Sequence, residues 1–444
     1  MRRRRTVCAL VAGAAMTLTT AVLAAPDGMA AVSGGAVRAA AVACAAPAWA
    51  EGATYAAGAQ VTYGSRLYSA LVAHTAHVGA NWNPASTPSL WRDLGVCTGG
   101  TTPPTTPPTP PPTTPPTTPP TSPPGGSTCA VKSRPAGKVL VGYWENWDGA
   151  ANGVHPGMGW IPITDGRLKQ HGYNVINAAF PVIRSDGTVL WENGMDVGVK
   201  VSTPAEMCQA KANGATLLMS IGGAAAGIDL SSGAVADRFV ATIVPILQQY
   251  HFDGIDIDIE TGLTGSGSIT TLSTSQANLI RIIDGVLARM PSNFGLTMAP
   301  ETAYVTGGSV TYGSIWGSYL PIIKKYADNG RLWWLNMQYY NGSMYGCSGD
   351  SYPAGTVQGF VAQTRCLDGG LTVQGTTIRV PYDRQVPGLP AQPGAGGGYM
   401  EPALVSQSWN GVGGSLKGLM TWSANWDGSR GWTFGDNVKS LQGR

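Results

Sequence analysis

The chain has 444 residues, a formal net charge of +3 and only 12% charged residues, about half the usual share. This length is enough for two or three domains. Because no basic stripe occurs beyond the N-terminus, the charge pattern argues against binding to nucleic acid or to a membrane surface.

The N-terminal segment, residues 1–30, predicts a secretory signal peptide. A charged run, Arg2–Arg5, precedes the apolar, alanine-rich stretch Cys8–Ala25, and small residues follow, with Ala30 a candidate cleavage position and others up to Ala43. An uncleaved anchor helix is the alternative, but the stretch is short and weakly hydrophobic for that role. We therefore expect a secreted, extracellular protein.

A small aromatic segment follows at residues 44–97. Short apolar runs broken by Gly58 and Gly64 predict a little β-domain. Its core is too small to bury all its aromatic rings, so some are expected on the surface, where they would suit stacking on polysaccharide. Residues 98–128 are rich in proline and threonine and predict an extended, semi-rigid linker.

Six cysteines remain once the signal segment is removed, an even number that suggests disulfides in an exported protein. Cys44 and Cys97 bracket the small domain and are the favoured pair. Cys129 with Cys208 and Cys347 with Cys366 are further candidates, although sequence alone does not fix the connectivity. No spacing resembles a zinc site, and no metal or other cofactor is expected.

Residues 129–444 alternate strand-like and helical apolar patterns in about eight units, which predicts a (β/α)8 TIM barrel of the α/β class. Two amphipathic helices are predicted from the apolar faces around Phe239–Leu247 and Leu279–Met290. The predicted strands are Val139–Tyr143, Val175–Phe180, Thr216–Ser220, Ile255–Glu260, Leu296–Ala299, Trp334–Tyr340, Gly418–Trp422 and, more weakly, Thr377–Pro381.

The run from Asp253 to Glu260 alternates acidic residues with isoleucines. Period two predicts a strand. In a barrel the isoleucines would face the helices and the acids would line the interior, about 6.6 Å apart along one face. Such carboxyls cannot all ionise in a partly dry site, so at least one should hold a proton, and Glu260 is the natural general acid. A calcium loop also spaces acids by two, but with polar residues and glycine between them.

Several motifs of this unit resemble glycoside hydrolase family 18, the chitinases, and especially its compact bacterial and plant branch. The resemblance covers nearly all of residues 129–444. The motifs that carry it are the acids Asp253, Asp256, Asp258 and Glu260, followed by Ser220–Gly223, Met298–Glu301, Gln338–Asn341 and Met420–Trp422.

The family resemblance implies substrate-assisted catalysis without an enzyme nucleophile. Glu260 would protonate the leaving oxygen, and Asp258 would orient the substrate's acetamido group. Asp256 would share a proton with Asp258, and the Tyr340 hydroxyl would hold the acetamido oxygen. Trp422 would form the floor beneath the reacting sugar.

Other residues of the matching motifs have less specific expected roles. Asp253 is expected to fix the turn before its strand rather than touch sugar. Ser220 either serves the strand backbone or bonds to Asp256, and Trp144, Trp147 and Trp426 either line sugar subsites or cover the core. The remaining predicted substrate contacts are Gln338, Met298, Tyr143 and Asn341.

The segment 44–97 resembles the small chitin-binding modules of carbohydrate-binding families 5 and 12. Paired tryptophans found in many such modules are missing after Tyr68–Ala70. Trp82 is therefore predicted to supply the exposed ring, with Tyr68 or His74 beside it, while Trp49 and Trp91 are expected in the core.

The resemblance implies a chitinase that acts on insoluble chitin and N-acetylglucosamine oligomers, and we expect it to be a secreted monomer. The short interval between Asn341 and Leu416 leaves little room for an extra α+β insertion, so an open cleft and endo action are expected. An endo-β-N-acetylglucosaminidase acting on N-glycans would use the same acids, and a non-catalytic chitin lectin would share the fold. Lysozyme-like action on peptidoglycan is a further alternative.

Overall fold

The computed structural model describes residues 42–43, 46–51, 53–56, 58–71, 74–76, 83–85, 90–98, 129–149, 158–224 and 227–444. The chain divides into two compact units, Met1–Thr117 and Thr118–Arg444. The predicted signal segment and nearly all of the predicted linker lie outside the described residues, so the domain boundaries stay predictions. Among the described residues, no helix has the length and apolar character needed to cross a membrane.

The first unit contains the predicted small β-domain. Its antiparallel strands Gln60–Tyr63, Arg66–Ala70 and Trp91–Thr98 form one sheet, which Val42–Ala43 joins in parallel. Thr54–Tyr55 pairs separately with His74–Thr75. Val61, Tyr68, Ala70 and Trp91 are buried together and form a small core.

The predicted sugar-stacking role of Tyr68 is wrong. Only 5% of Tyr68 is exposed, and its ring packs in the core with Val61 and Trp91, so its face is closed to a ligand. Trp91 is buried as predicted, and Trp49 packs partly buried against the same core. Trp82, Cys44 and the side chain of His74 lie outside the described residues, so the ring assignment and the Cys44–Cys97 pair stay predictions.

The second unit is built on eight parallel strands, which confirms the predicted fold class. The strands are β1 (Val139–Glu145), β2 (Val175–Ala179), β3 (Thr216–Gly222), β4 (Gly254–Asp258), β5 (Gly295–Met298), β6 (Leu332–Leu335), β7 (Gly388–Pro390) and β8 (Gly418–Trp422). Ordered by pairing, the sheet runs β6-β5-β4-β3-β2-β1-β8-β7, and parallel bridges from Leu335 to Gln385 and from Gln338 to Gly388 connect its two ends.

One predicted barrel strand is wrong. The segment near Thr377–Pro381 contributes Thr376–Ile378 to an antiparallel hairpin with Leu371–Val373, outside the barrel. The barrel strand of this repeat is β7, a three-residue Gly-Leu-Pro segment. Glycine and proline are both depleted in strands, so β7 has no sequence signal of its own.

Helices surround the strands and cover them with apolar faces. The helices are α1 (Gly166–Gln170), α2 (Pro204–Ala212), α3 (Gly233–Gln249), α4 (Thr274–Leu287), α5 (Leu320–Asp328), α6 (Val357–Gly369), α7 (Pro402–Gly411), α8 (Ala424–Ser429) and α9 (Thr433–Leu441). The predicted faces are buried in α3 and α4, and the hydroxyl of Ser273 caps α4 in a capping box with Gln276.

Strand β4 alternates as predicted. Ile255, Ile257 and Ile259 are buried in the large core between strands and helices. Asp256 and Asp258 take the opposite face and reach into the barrel interior. Two of the candidate disulfides are confirmed, Cys129–Cys208 and Cys347–Cys366.

Candidate active site

Asp256 is completely buried and is the most extensively hydrogen-bonded acid of β4. Its Oδ2 accepts from the hydroxyls of Tyr143 at 2.6 Å and Ser220 at 2.8 Å. Its Oδ1 accepts from Thr297 Oγ1 at 2.5 Å and Asn336 Nδ2 at 3.0 Å. Burial raises the pKa of Asp256, while these four donors oppose that rise. Ser220 therefore serves Asp256, which resolves one of the open alternatives.

Gln338 connects the two acids nearest the mouth of the barrel. Its Nε2 donates to Asp258 Oδ1 and to Glu260 Oε1, both at 2.9 Å, and lies 3.0 Å from the Ala299 carbonyl oxygen. A single amide nitrogen thus fixes the separation and orientation of both carboxyls. Gln338 was expected near the substrate, and the structure adds this bridging contact.

The electrostatics of the site favour protonated carboxyls. Burial, followed by the nearby charges of Glu260 and Asp256, raises the pKa of Asp258 well above its ordinary value. Burial also raises the pKa of Glu260, and the bond from Gln338 partly opposes the rise. Since one pair of acids cannot easily carry two charges in a dry site, this arrangement favours a proton on one of the two carboxyls.

Tyr340 follows β6 and lies beside these acids. Its side chain is 6% exposed, and its hydroxyl has no hydrogen-bond partner among the described residues. Burial and the negative charges of Asp258 and Glu260 raise the pKa of Tyr340 well above its ordinary value. The phenol therefore stays protonated and can donate to a ligand oxygen.

Trp422, at the end of β8, forms an aromatic surface at the barrel mouth. Its half-buried ring lies nearly parallel to that of Phe180, with 5.9 Å between centroids and 16° between planes. Tyr143 and Trp147 pack against it at 5.5 Å and 6.1 Å. These contacts hold the ring in place while leaving part of it open, which is compatible with the floor predicted for Trp422.

A cavity of about 480 Å³ adjoins this floor. It is formed by the chain that follows β1, β2 and β3, and it is walled by Trp147, Phe180, Val182, Ile183 and Trp422. Its size and largely apolar lining are those of a ligand cleft. Of the three tryptophans left open between subsites and core, Trp147 lines this cavity, whereas Trp144 and Trp426 are buried in the core.

Asp253 lies at the opposite end of β4 from the reacting acids. Its Oδ1 accepts from the Lys132 amide and from Lys211 Nζ, both at 2.7 Å, and its Oδ2 accepts from the Leu217 amide at 2.9 Å. Asp253 and Lys211 form a buried ion pair. The predicted structural role of Asp253 agrees with these contacts.

Met298 and Asn341, two of the predicted substrate contacts, are held by the surrounding structure. Met298 is fully buried at the end of β5. Asn341 has a left-handed backbone, with φ of 64°, and exchanges two 2.8 Å hydrogen bonds with Gly397. It therefore fixes the loop around Gly397 beside the site. Contact of either residue with sugar stays a prediction.

Sequence reasoning gave no role to two further acids of the mouth. Glu301 is half-buried, and burial together with the charge of Glu260 raises its pKa. Glu145, at the end of β1, is fully buried and accepts from the Ser423 hydroxyl. The sequence feature that could have indicated them is their position at or near strand ends, directly after Pro300 and Trp144.

Comparisons with known proteins agree with this geometry. The model of glycosyl hydrolases family 18 matches residues 139–328. "Endochitinase 4" of Metarhizium robertsii is 80% identical over 312 residues, which cover 70% of this chain and 90% of that protein. The chain belongs to glycoside hydrolase family 18. "Endochitinase 37" of Trichoderma harzianum is 81% identical over 311 residues, covering 70% and 92% of the two chains.

Other comparisons extend beyond the family 18 barrel. The model of carbohydrate-binding module family 5/12 matches residues 48–92, as the sequence resemblance indicated. A crystal structure of a family 18 chitinase from Chromobacterium violaceum aligns with a TM-score of 0.61 and 29% identity, covering 90% of this chain and all of that one. Because the two relatives at 80% and 81% identity are fungal, the expected bacterial placement within family 18 is not confirmed.

Proposed function

We propose that this protein is a secreted, endo-acting chitinase that cleaves β-1,4 bonds between N-acetylglucosamine units with retention of configuration. The observation that carries the proposal is the Gln338 bridge, which holds Asp258 and Glu260 together near the buried Tyr340. The endochitinase names of relatives at about 80% identity support the same activity.

The first chemical step uses the substrate's acetamido group as nucleophile. Glu260 gives its proton to the glycosidic oxygen, and the bond from that oxygen to the anomeric carbon breaks. The acetamido carbonyl oxygen attacks the same carbon from the other face and forms an oxazolinium ion. Asp258 accepts the acetamido N–H and offsets the positive charge, while Tyr340 donates its hydroxyl hydrogen to the acetamido oxygen.

The second step regenerates the enzyme. The Glu260 carboxylate removes a proton from water, whose oxygen attacks the anomeric carbon and opens the ion. Two displacements at one carbon return the original configuration. Asp256, fixed by its four donors, would share a proton with Asp258 and set the charge of that residue during the cycle.

The architecture around the cleft supports endo action. Between Asn341 and Leu416 the chain forms only two short hairpins, β7, α6, α7 and connecting turns, all within the continuously described range 227–444. No separate sheet domain walls the cleft in that range, so a chain can enter along its length. Accumulation of disaccharide alone from the earliest time points would contradict endo action.

The small domain favours chitin over soluble glycoproteins as the substrate. Its match to carbohydrate-binding module family 5/12 supports a role in holding the enzyme on an insoluble surface. Soluble N-glycans need no such attachment. We assign the exposed ring to Trp82, and we expect Trp82→Ala to reduce sedimentation with insoluble chitin. Unchanged sedimentation would refute that assignment. We further propose that the enzyme acts as a monomer outside the cell.

The deciding experiment compares wild type with Glu260→Gln on colloidal chitin and on defined N-acetylglucosamine oligomers. Wild type should release oligomers with retained configuration, and the folded variant should lose several orders of magnitude in rate, consistent with removal of the acid. Chitin binding without any hydrolysis by well-folded wild type would instead indicate a lectin.

A further inference from the structure

The cavity beside Trp422 contains an isolated negative charge. Asp196 is the only ionisable side chain among its lining residues, which otherwise are aromatic, aliphatic, glycine, proline or amide. Asp196 is exposed and lines the cavity, and its Oδ1 accepts a hydrogen bond from the Val197 amide at 2.7 Å. No cation pairs with Asp196 within the described part of the chain, so its charge is free to act on a ligand.

The loop that carries Asp196 is anchored to the barrel. Trp147 and Val199 form an antiparallel bridge, and the Lys200 amide donates to the Asn146 carbonyl oxygen at 2.7 Å. The nearby Lys200 is directed elsewhere, with its Nζ 5.5 Å from the centre of the Trp160 ring. The carboxylate therefore has a defined place at the rim of the cavity rather than on a free loop.

Chitin itself offers no charge to such a carboxylate, since its sugars carry hydroxyl and acetamido groups only. Loss of the acetyl group exposes an amine, which in its protonated form is the one cationic group such a chain can present. We propose that Asp196 makes this cavity a subsite for a sugar with a free amine, so that the enzyme favours partly de-N-acetylated chains. This inference rests on the chitinase function proposed above.

The proposed mechanism restricts where the amine can lie. The reacting sugar must keep its acetyl group, because the acetamido oxygen is the nucleophile. An amine is therefore productive only in a neighbouring unit, and the cavity is separate from the acids of β4 yet continuous with the floor. An exposed ion pair of this kind changes preference by at most about fivefold, and salt weakens it.

The test uses a partly N-acetylated chitosan of random sequence. Early products are sequenced by mass spectrometry, and the amine content is counted at each position from the cleavage point. Wild type should show amine enrichment at one fixed position, up to about fivefold, which high salt removes. Asp196→Asn should lose the enrichment while it still cleaves fully acetylated oligomers.

Controls separate this inference from the proposed function. Asp328→Asn removes a similar exposed charge, paired with Lys324 on α5, and should keep the enrichment. Asp196→Ser is a second neutral variant, with a shorter uncharged side chain at the same position. Enrichment that survives in both neutral variants, or that is missing in wild type, overturns the inference alone. Failure of wild type to cleave fully acetylated oligomers overturns the proposed function and the inference with it.

Discussion

The hydroxyl of Tyr143 donates to Oδ2 of Asp256 over 2.6 Å, in a part of the barrel closed to solvent. The two residues come from β1 and β4, which are not neighbours in the sheet. Their bond therefore crosses the barrel interior and ties Asp256 to a strand that is not its neighbour. Burial raises the pKa of Tyr143 well above its ordinary value, so the phenol remains the donor.

Tyr143→Phe should lower kcat as well as the stability of the fold. The Tyr143 bond lowers the pKa of Asp256, so its loss raises that pKa and disturbs the proton shared with Asp258. We expect kcat to fall by about 10- to 100-fold and stability by about 1–3 kcal/mol. Tyr326→Phe is the matched control, since Tyr326 donates to Asp284 at 2.8 Å away from the site. It should lose stability with kcat unchanged. Equal kcat in both variants would contradict a role for Tyr143.

Gln338→Met should move the basic limb of the pH–activity profile to higher pH. The Gln338 amide stabilises the carboxylate forms and lowers the pKa of both Glu260 and Asp258. Without it Glu260 keeps its proton to higher pH, so the loss of activity on raising the pH occurs later. The measurement is kcat/KM for a soluble oligomer against pH. Gln385→Met removes another buried amide, one that donates to Thr364 and Val380, and should leave the limb in place. A limb that moves to lower pH would refute the assignment.

Asp258→Asn should abolish activity and stabilise the enzyme at neutral pH. Asp258 has a raised pKa in the folded protein. Its contribution to the stability of the fold is complete below the ordinary pKa and is lost as the pH rises through the raised pKa. Asparagine removes that loss, so the melting temperature at pH 8 should exceed the wild-type value by a few degrees. The gain should disappear at acid pH, where this carboxyl is protonated in both the folded and the unfolded protein. Thermal unfolding across pH measures it, and an equal difference at every pH would contradict this origin.

Lys211→Met should destabilise the barrel strongly. It removes the cation paired with the buried Asp253 and leaves that carboxylate with two backbone amide donors and the more distant charge of Lys132, a change that costs about 3–5 kcal/mol. The melting temperature should fall by roughly 10 °C, with kcat at low temperature close to wild type. Lys324→Met breaks the exposed pair with Asp328 and should cost less than about 1 kcal/mol. Similar losses of stability in both variants would contradict a larger contribution from the buried pair.

The acids of β4 could be predicted because their spacing alone fixes a strand and its two faces. The partners that hold them could not be placed in the same way. Gln338 lies 80 residues from Asp258 along the chain, and only closure of the barrel brings its amide between the two acids. Tyr340 was inferred from a motif, and the structure adds the unbonded hydroxyl that the role needs.

The local sequence gave wrong predictions for Tyr68 and for one barrel strand, because neighbouring elements decide burial and pairing. Tyr68 lies on a short strand whose pattern fits either face of a small sheet, and the packing of Trp91 determines that the ring is inside. Likewise β7 consists of residues that disfavour strands, and it pairs because β8 and the residues after β6 present free backbone groups on both sides.

The segment from Asp253 to Glu260 spans the barrel from its lower rim, where Lys211 is held, to its reactive mouth. Side chains of a strand change face with each step, so inserting or deleting one residue between these ends would turn every later side chain around. Isoleucines would then meet the hydroxyls of Tyr143 and Ser220, and carboxylates would press against α3 and α4. The segment can therefore vary by substitution, but its length is fixed by the two ends it connects.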